Sequence, residues 1–354
     1  MNYRLRVLAL ALCAILLAVP RQGAGQVLLY SLFERYADSL RQQTGIPGMS
    51  ALIVKNGQVD WERGFGQQDI ERNILAAPDT PYSVGDLTET VSAVLLGICA
   101  EQGQLNIDDP ISHWVTDFPN PSATVRQVLA HASDSAPAGQ YRYDEARYAA
   151  LTSVVQGCSG KPFRVDVADT ILERLGMAVS VPGQDLATPG NPFRDLFEAP
   201  RLDRYQAVVS RMAVPYRMDR GRAIRSDYQP RGLTTADGLI STVRDLARFD
   251  AAVDEGVLLK ADTLSVAWTP ANFSGTPLPT GLGWFVQSYN GERIVWHFSH
   301  VPDAYSGLIL KMPARNLTLI MLANSDGLAT GANLDQGDIT SSPFVKTFLK
   351  LFTN

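Results

Sequence analysis

Two carboxylates stand three residues apart in the segment Tyr82-Ser83-Val84-Gly85-Asp86-Leu87-Thr88-Glu89-Thr90. At a helix start, that spacing puts both acids on one face. Such a pair has two ordinary uses. It can form a capping box, with Asp86 accepting from the Glu89 amide and Glu89 reaching back. Or it can divide acid and base roles, as the carboxylates of glycosidases do. Nucleophile chemistry finds less support. The residues three before Lys55, Lys161, Lys260, Lys311, Lys346 and Lys350 are Leu52, Cys158, Val257, Leu308, Pro343 and Thr347, so no Ser-x-x-Lys exists. A Gly-x-Ser-x-Gly elbow is also absent. Ser83, Ser133 and Ser299 are candidate hydroxyls, but none has a lysine or histidine at a recognisable spacing.

The elements that must position these residues follow from periodicity. Apolar residues recur at helical spacing over 28–43, and Thr44-Gly45-Ile46-Pro47-Gly48 ends that helix. Strands are expected at 49–54 and 59–64 around an Asn56-Gly57 turn. A helix is expected over 86–102, then a mostly helical stretch to about residue 228, clearest at 125–131 and 148–156. Residues 235–255 read as helical. Strands follow at 284–289, 293–298, 305–311 and 317–324, and residues 342–352 close as a helix. The fold class is therefore α/β (α+β): an antiparallel sheet built from both ends of the chain and flanked by N- and C-terminal helices. The α/β lobe takes about 26–85 and 235–354, and an all-helical lobe takes about 86–234.

Composition narrows the classes. The 354 residues are 45% hydrophobic and 19% charged, as in an ordinary globular protein. No basic stripe is present to neutralise phosphates, which excludes nucleic acid as a partner. At the N-terminus, Arg4 and Arg6 precede an apolar run over 7–19, broken by Pro20 and Arg21 before Gly23-Ala24-Gly25. This is the layout of a cleaved signal peptide over 1–25, and the run is too short for a stable membrane span. A secreted or periplasmic protein is expected. Its mature form would carry 28 basic and 36 acidic residues, a formal charge of −8. Cys99 and Cys158 sit on apolar helical faces and read as two buried free thiols.

The order of several segments resembles the class C β-lactamase and D,D-peptidase family, the penicillin-recognising serine hydrolases. The 82–90 segment looks like its nucleophile segment. Gln102-Gly103-Gln104-Leu105-Asn106-Ile107-Asp108-Asp109-Pro110 follows as expected, and Val125-Arg126-Gln127-Val128-Leu129-Ala130-His131-Ala132-Ser133 resembles its Leu-Leu-x-His-x-Ser block. Tyr143-Asp144-Glu145, Gly238-Leu239-Ile240-Ser241-Thr242 and Gly281-Leu282-Gly283-Trp284 continue the series. The resemblance implies the two-lobed fold and three motifs meeting in one cleft. These are Ser-x-x-Lys for nucleophile and base, Tyr-x-Asn for proton work, and a strand with Lys-Thr-Gly or His-x-Gly.

All three motifs are altered. Asp86 stands for the serine, Glu89 for the lysine and Glu145 for the asparagine, while Tyr143 is kept and the strand reads His297-Phe298-Ser299. The substitutions make the pocket more negative by four charges if all ionise. Two like charges 4 Å apart repel by roughly 4 kcal/mol at an effective dielectric near 20. One acid therefore stays protonated, or a cation sits among them. No cofactor is expected. The family equivalence thus implies an exported pseudoenzyme with Asp86, Glu89, Tyr143, Glu145 and His297 at the old catalytic positions, and a small-molecule or cell-wall-related ligand. The alternatives are a carboxylate- or metal-dependent hydrolase in the same cleft and a serine hydrolase using another nucleophile. His131 matches a family position that reads as structural, His113 reads as surface, and His300 and Asp303 read as a solvated turn.

Overall fold

A computed structural model describes residues 24–133 and 138–353. The proposed leader at 1–25 lies almost wholly outside the described residues. Helix α1 (Ala24–Gln43) leads into strands β1 (Gly48–Lys55) and β2 (Gln58–Asp69). Asn56 and Gly57 turn between them at φ 52° and 74°. Both values are positive, as a two-residue hairpin loop requires. Two short strands follow, β3 (Ile74–Leu75) and β4 (Tyr82–Ser83), then helix α2 (Thr88–Glu101).

The middle of the chain holds α3 (Val125–Leu129), α4 (Glu145–Ala149), α5 (Leu151–Ser159), α6 (Phe163–Asp166) and α7 (Ala199–Val209). It also holds a hairpin, β5 (Tyr216–Asp219) and β6 (Arg222–Arg225), inside the stretch read as helical. This corrects the all-helical reading of that lobe. Tyr216 donates its amide to Asn324 O and accepts from Ile70 N, so the hairpin closes back onto the sheet end of the molecule. The expected helix over 235–255 is also shortened. Residues 240–241 form β7 (Ile240–Ser241), paired with β4, and the helix α8 is Val243–Asp254, started by Thr242 as N-cap to the Asp245 amide. The chain ends with α9 (Ala261–Ala267), β8 (Phe285–Tyr289), β9 (Glu292–Val301), β10 (Tyr305–Met312), β11 (Leu317–Ala323) and α10 (Pro343–Phe352).

The main sheet runs β3-β2-β1-β11-β10-β9-β8, with every pair antiparallel, so strands from both ends of the chain meet at β1 and β11. Period-2 alternation decides what each face meets. Met49, Ala51, Ile53, Ile294, Trp296, Leu319 and Met321 pack under α1 and α10, against Phe33, Phe344 and Phe348. Leu52, Val54, Val295, Ile309 and Ile320 point the other way, to Leu87 and Val91 of the α2 region and Leu246 and Phe249 of α8. By the same alternation His297 and Ser299 face α2. That places them over the altered motif.

Cys99 and Cys158 form a disulfide, with Cα atoms 6.0 Å apart, which corrects the free-thiol reading. Each residue shows an apolar helical face in the sequence, but only the packing of α2 on α5 shows that those faces meet. The bond closes a loop of 59 residues. Converting both cysteines to alanine is expected to cost about 2–4 kcal/mol. Urea denaturation with and without reductant measures it, and an unchanged midpoint would refute a stabilising role.

Candidate functional site

Gly85 lies at φ 49°, and a Cβ there would fall 2.3 Å from Ser299 Oγ. Only glycine permits this backbone at this distance. Gly307, paired with Ser299 on the neighbouring strand, gives similar clearance, since a Cβ there would lie 2.9 Å from Leu87. The turn Gly85–Leu87 therefore drops onto β9 and winds as a 3-10 turn before α2 begins.

That early winding undoes the expected capping box. Asp86 is already inside the turn, and no side chain caps either helical start. Instead Asp86 Oδ2 accepts the amide of His300 at 2.9 Å. His300 thus belongs to strand β9, not to a solvated turn, though its ring is exposed. Asp303 lies exposed beyond it, at φ 59°. His113 is exposed near Asp109.

Glu89 has different partners. Its Oε2 meets His131 Nε2 at 2.9 Å and His297 Nε2 at 3.3 Å. All three residues are at most 3% exposed. The Asp144 amide donates to His131 Nδ1 at 3.3 Å, which leaves Nε2 to carry the hydrogen toward Glu89. His131 sits at φ 48°, an uncommon value for a non-glycine residue. Its ring stacks between Tyr143 and Tyr148, at centroid distances of 4.5 and 5.1 Å. His131 is therefore a full member of the cluster. Its sequence signal was the His of the family block, read there as structural.

The five altered or retained positions come together around this pair. Tyr143 packs on His131 and Phe298, and its hydroxyl is buried without a hydrogen-bond partner. Glu89 Oε1 and Ser299 Oγ are likewise buried and unpartnered. Glu145 is the outermost member, with a 39% exposed side chain 3.9 Å from Arg231. The core of the cluster is closed: Asp86, Glu89, His297 and Ser299 are each no more than 2% exposed.

Electrostatics separates the acids. Burial, and then the charges of Glu145 and Glu89, push the Asp86 carboxyl well above its ordinary 3.8. Burial alone would raise Glu89 too, but His131 and His297 together outweigh it and hold its carboxyl below 4.5. The environment therefore favours the protonated form of Asp86 and the ionised form of Glu89. Burial and the three acids push the Tyr143 hydroxyl far above 10, so it keeps its proton.

A carboxyl whose folded value is raised loses stability as pH climbs from its unfolded value to its folded one. Asp86→Asn keeps an acceptor for the His300 amide and removes that loss. The variant is expected to be more stable than the parent at pH 7, with the gain shrinking toward pH 4. Thermal melts across that range test it, and a loss at pH 7 contradicts the assignment.

Other nucleophile routes find little support. Ser83 is buried beside Tyr228. The buried amine of Lys311 is committed to Asp250 and, at 2.9 Å, Asp254. Among the described residues no three His, Cys, Asp or Glu side chains are grouped as metal ligands. Both imidazoles contact one oxygen of Glu89, which is a clamp and not a coordination shell.

Comparison with known proteins agrees with the fold. A chain titled "A class C beta-lactamase" superposes with a TM-score of 0.70 at 17% identity, covering 93% of this chain and 98% of the other. The octameric penicillin-binding protein homologue from Pyrococcus abyssi gives 0.69 at 22%, covering 84% and 74%. In sequence, "Protein flp" of Staphylococcus aureus (strain NCTC 8325 / PS 47) is 36% identical over 98 residues, 26% of this chain and only 20% of its own length. "Putative penicillin-binding protein PbpX" of Bacillus subtilis (strain 168) is 22% identical over 288 residues, 73% of this chain and 67% of its own. The family model described as Beta-lactamase matches residues 33–340, nearly the whole described chain, and so this protein belongs to the β-lactamase family.

Proposed function

We propose that this chain is an exported, non-acylating member of the family, a pseudoenzyme that keeps the fold for ligand binding or scaffolding. One observation carries the reading. At the two positions where family chemistry needs an alcohol and an amine stand a buried acid, Asp86, and a carboxylate, Glu89, one of whose oxygens is held by two imidazoles. An attacking oxygen needs a nearby base and an open approach. Asp86 is 2% exposed, and the attack of a carboxyl on an acyl group would yield a labile anhydride. A pocket this acidic also disfavours ligands that carry a carboxylate. Export rests on the leader at 1–25, and among the described residues no helix is long and apolar enough to cross a membrane. The ligand class would be a small molecule or cell-wall fragment without an anionic anchor.

Incubation with a fluorescent penicillin and with a fluorophosphonate is expected to leave the protein unlabelled. Stoichiometric covalent labelling of the folded chain by either reagent overturns the proposal.

A second reading has one observation in its favour: the pKa values of Asp86 and Glu89 are pushed in opposite directions, the usual preparation of an acid–base pair. It requires turnover of some ester, amide or glycoside that Glu89→Gln abolishes without unfolding the protein. Absence of turnover across a chromogenic panel leaves the pseudoenzyme reading in place.

A further inference from the structure

A cavity of about 350 Å³ opens between α2 and α9. None of Asp86, Glu89, Tyr143, Glu145 or His297 lines it, so it lies apart from the altered cleft. Its volume falls within the range of small-ligand sites, about 300–1,000 Å³. Its walls are almost wholly apolar. Val94 of α2, Leu129 of α3, Leu259, Leu264 and Val266 around α9, and Trp284 supply most of them. Val266 is 51% exposed, so this surface is open to solvent. Water against such walls finds few hydrogen-bond partners, and an apolar occupant displaces it favourably.

The cavity also has a direction. Arg126, Val266 and Leu282 line both it and an adjoining cavity of about 300 Å³, whose further walls include Pro270 and Phe273. The apolar surface therefore runs along α9, a helix about 10 Å long, and past its C-terminal end. An extended chain follows such a path better than a compact ring. Three polar side chains line the first cavity: Arg126, Asp262 and Thr263. Arg126 is gripped by Asp108 in a two-point fork at 2.6 and 2.8 Å, so its charge is already met. Thr263 donates its hydroxyl to Glu101 Oε1 at 2.5 Å. Asp262, in the first turn of α9, is exposed and makes no ion pair among the described residues. Lys260 is exposed and does not line the cavity. The open charge is thus a carboxylate at the start of the helix, and it suits a cation.

We propose that this groove binds a cationic amphiphile, an unbranched alkyl chain bearing an ammonium head. The head sits at Asp262, and the chain runs along Val266 and Leu282 toward Phe273. The inference does not depend on the pseudoenzyme reading.

Calorimetry and thermal shifts on the full protein test it, with n-octylammonium, n-octanol and octanoate below their micelle-forming concentrations. Octylammonium is expected to bind and to raise the melting temperature. Octanol should bind about threefold more weakly and octanoate about tenfold more weakly. Asp262→Asn should bring octylammonium down to the level of octanol and leave octanol itself unchanged. Ala100→Leu puts a longer side chain into the same cavity, from a part-exposed position of α2. It should weaken octylammonium at least about tenfold and leave the ligand-free melting temperature unchanged. No binding of octylammonium overturns the proposal, as does octanoate binding equally well. Undiminished octylammonium binding by either variant overturns it too.

Discussion

Glu89→Ala is expected to destabilise the protein by about 3–5 kcal/mol, more than any other single change at the altered cleft. The carboxylate sits fully buried between two imidazoles that are themselves buried. Removing it strands both ring nitrogens away from water, each at about 1–3 kcal/mol, and leaves a void. Breaking a buried charge-assisted cluster from one side has a comparable cost. The pH dependence identifies the cause. A carboxyl whose folded value is depressed adds stability that is present above its unfolded value and disappears as pH falls through the folded one. The parent should therefore lose stability on acidification below about 4.5, and Glu89→Gln should flatten that decline. Urea denaturation at several pH values measures both effects. A Glu89→Ala penalty under 1 kcal/mol would mean that the clamp contributes little.

The other large effect concerns Lys311. Its ammonium is 2% exposed, bonded to Asp250 and Asp254 below the ring of Trp268, 5.6 Å away. Burial works against its charge, yet the two acids outweigh that and hold its pKa above the ordinary lysine value. Lys311→Met leaves Asp250 buried without a counter-charge, at an expected cost of about 3–5 kcal/mol. A buried ion pair exchanged whole for apolar groups is often neutral. Lys311→Met/Asp250→Leu should therefore recover most of the loss, a coupling that a double-mutant cycle reads directly. If the double variant is as unstable as the two single losses combined, the lysine acts through packing alone.

Much of the fold was legible because its elements are strongly periodic. The hairpin at Asn56-Gly57, the closing strands and the terminal helices follow from alternation and turn chemistry. The β5–β6 hairpin was missed because its short strands, Tyr216–Asp219 and Arg222–Arg225, are half-exposed and carry arginines instead of an apolar face. At the cleft, the sequence shows directly that no Ser-x-x-Lys is present. What Asp86 and Glu89 bond to was not legible. The capping-box reading considered only local partners, while the actual ones, His131, His297 and the His300 amide, arrive from 42 to 214 residues away. The positive φ of Gly85, which turns Asp86 toward β9, leaves no mark beyond the glycine itself.

The imidazole clamp also limits what substitution here could achieve. A basic residue in place of Glu89 would set an ammonium between two histidines and forfeit the bonds that now anchor them. Serine in place of Asp86 alone would yield an alcohol with no free amine beside it, since the buried amine of Lys311 is committed to Asp250 and Asp254. Neither single exchange installs an alcohol with its proton acceptor, and only a concerted change of several residues would.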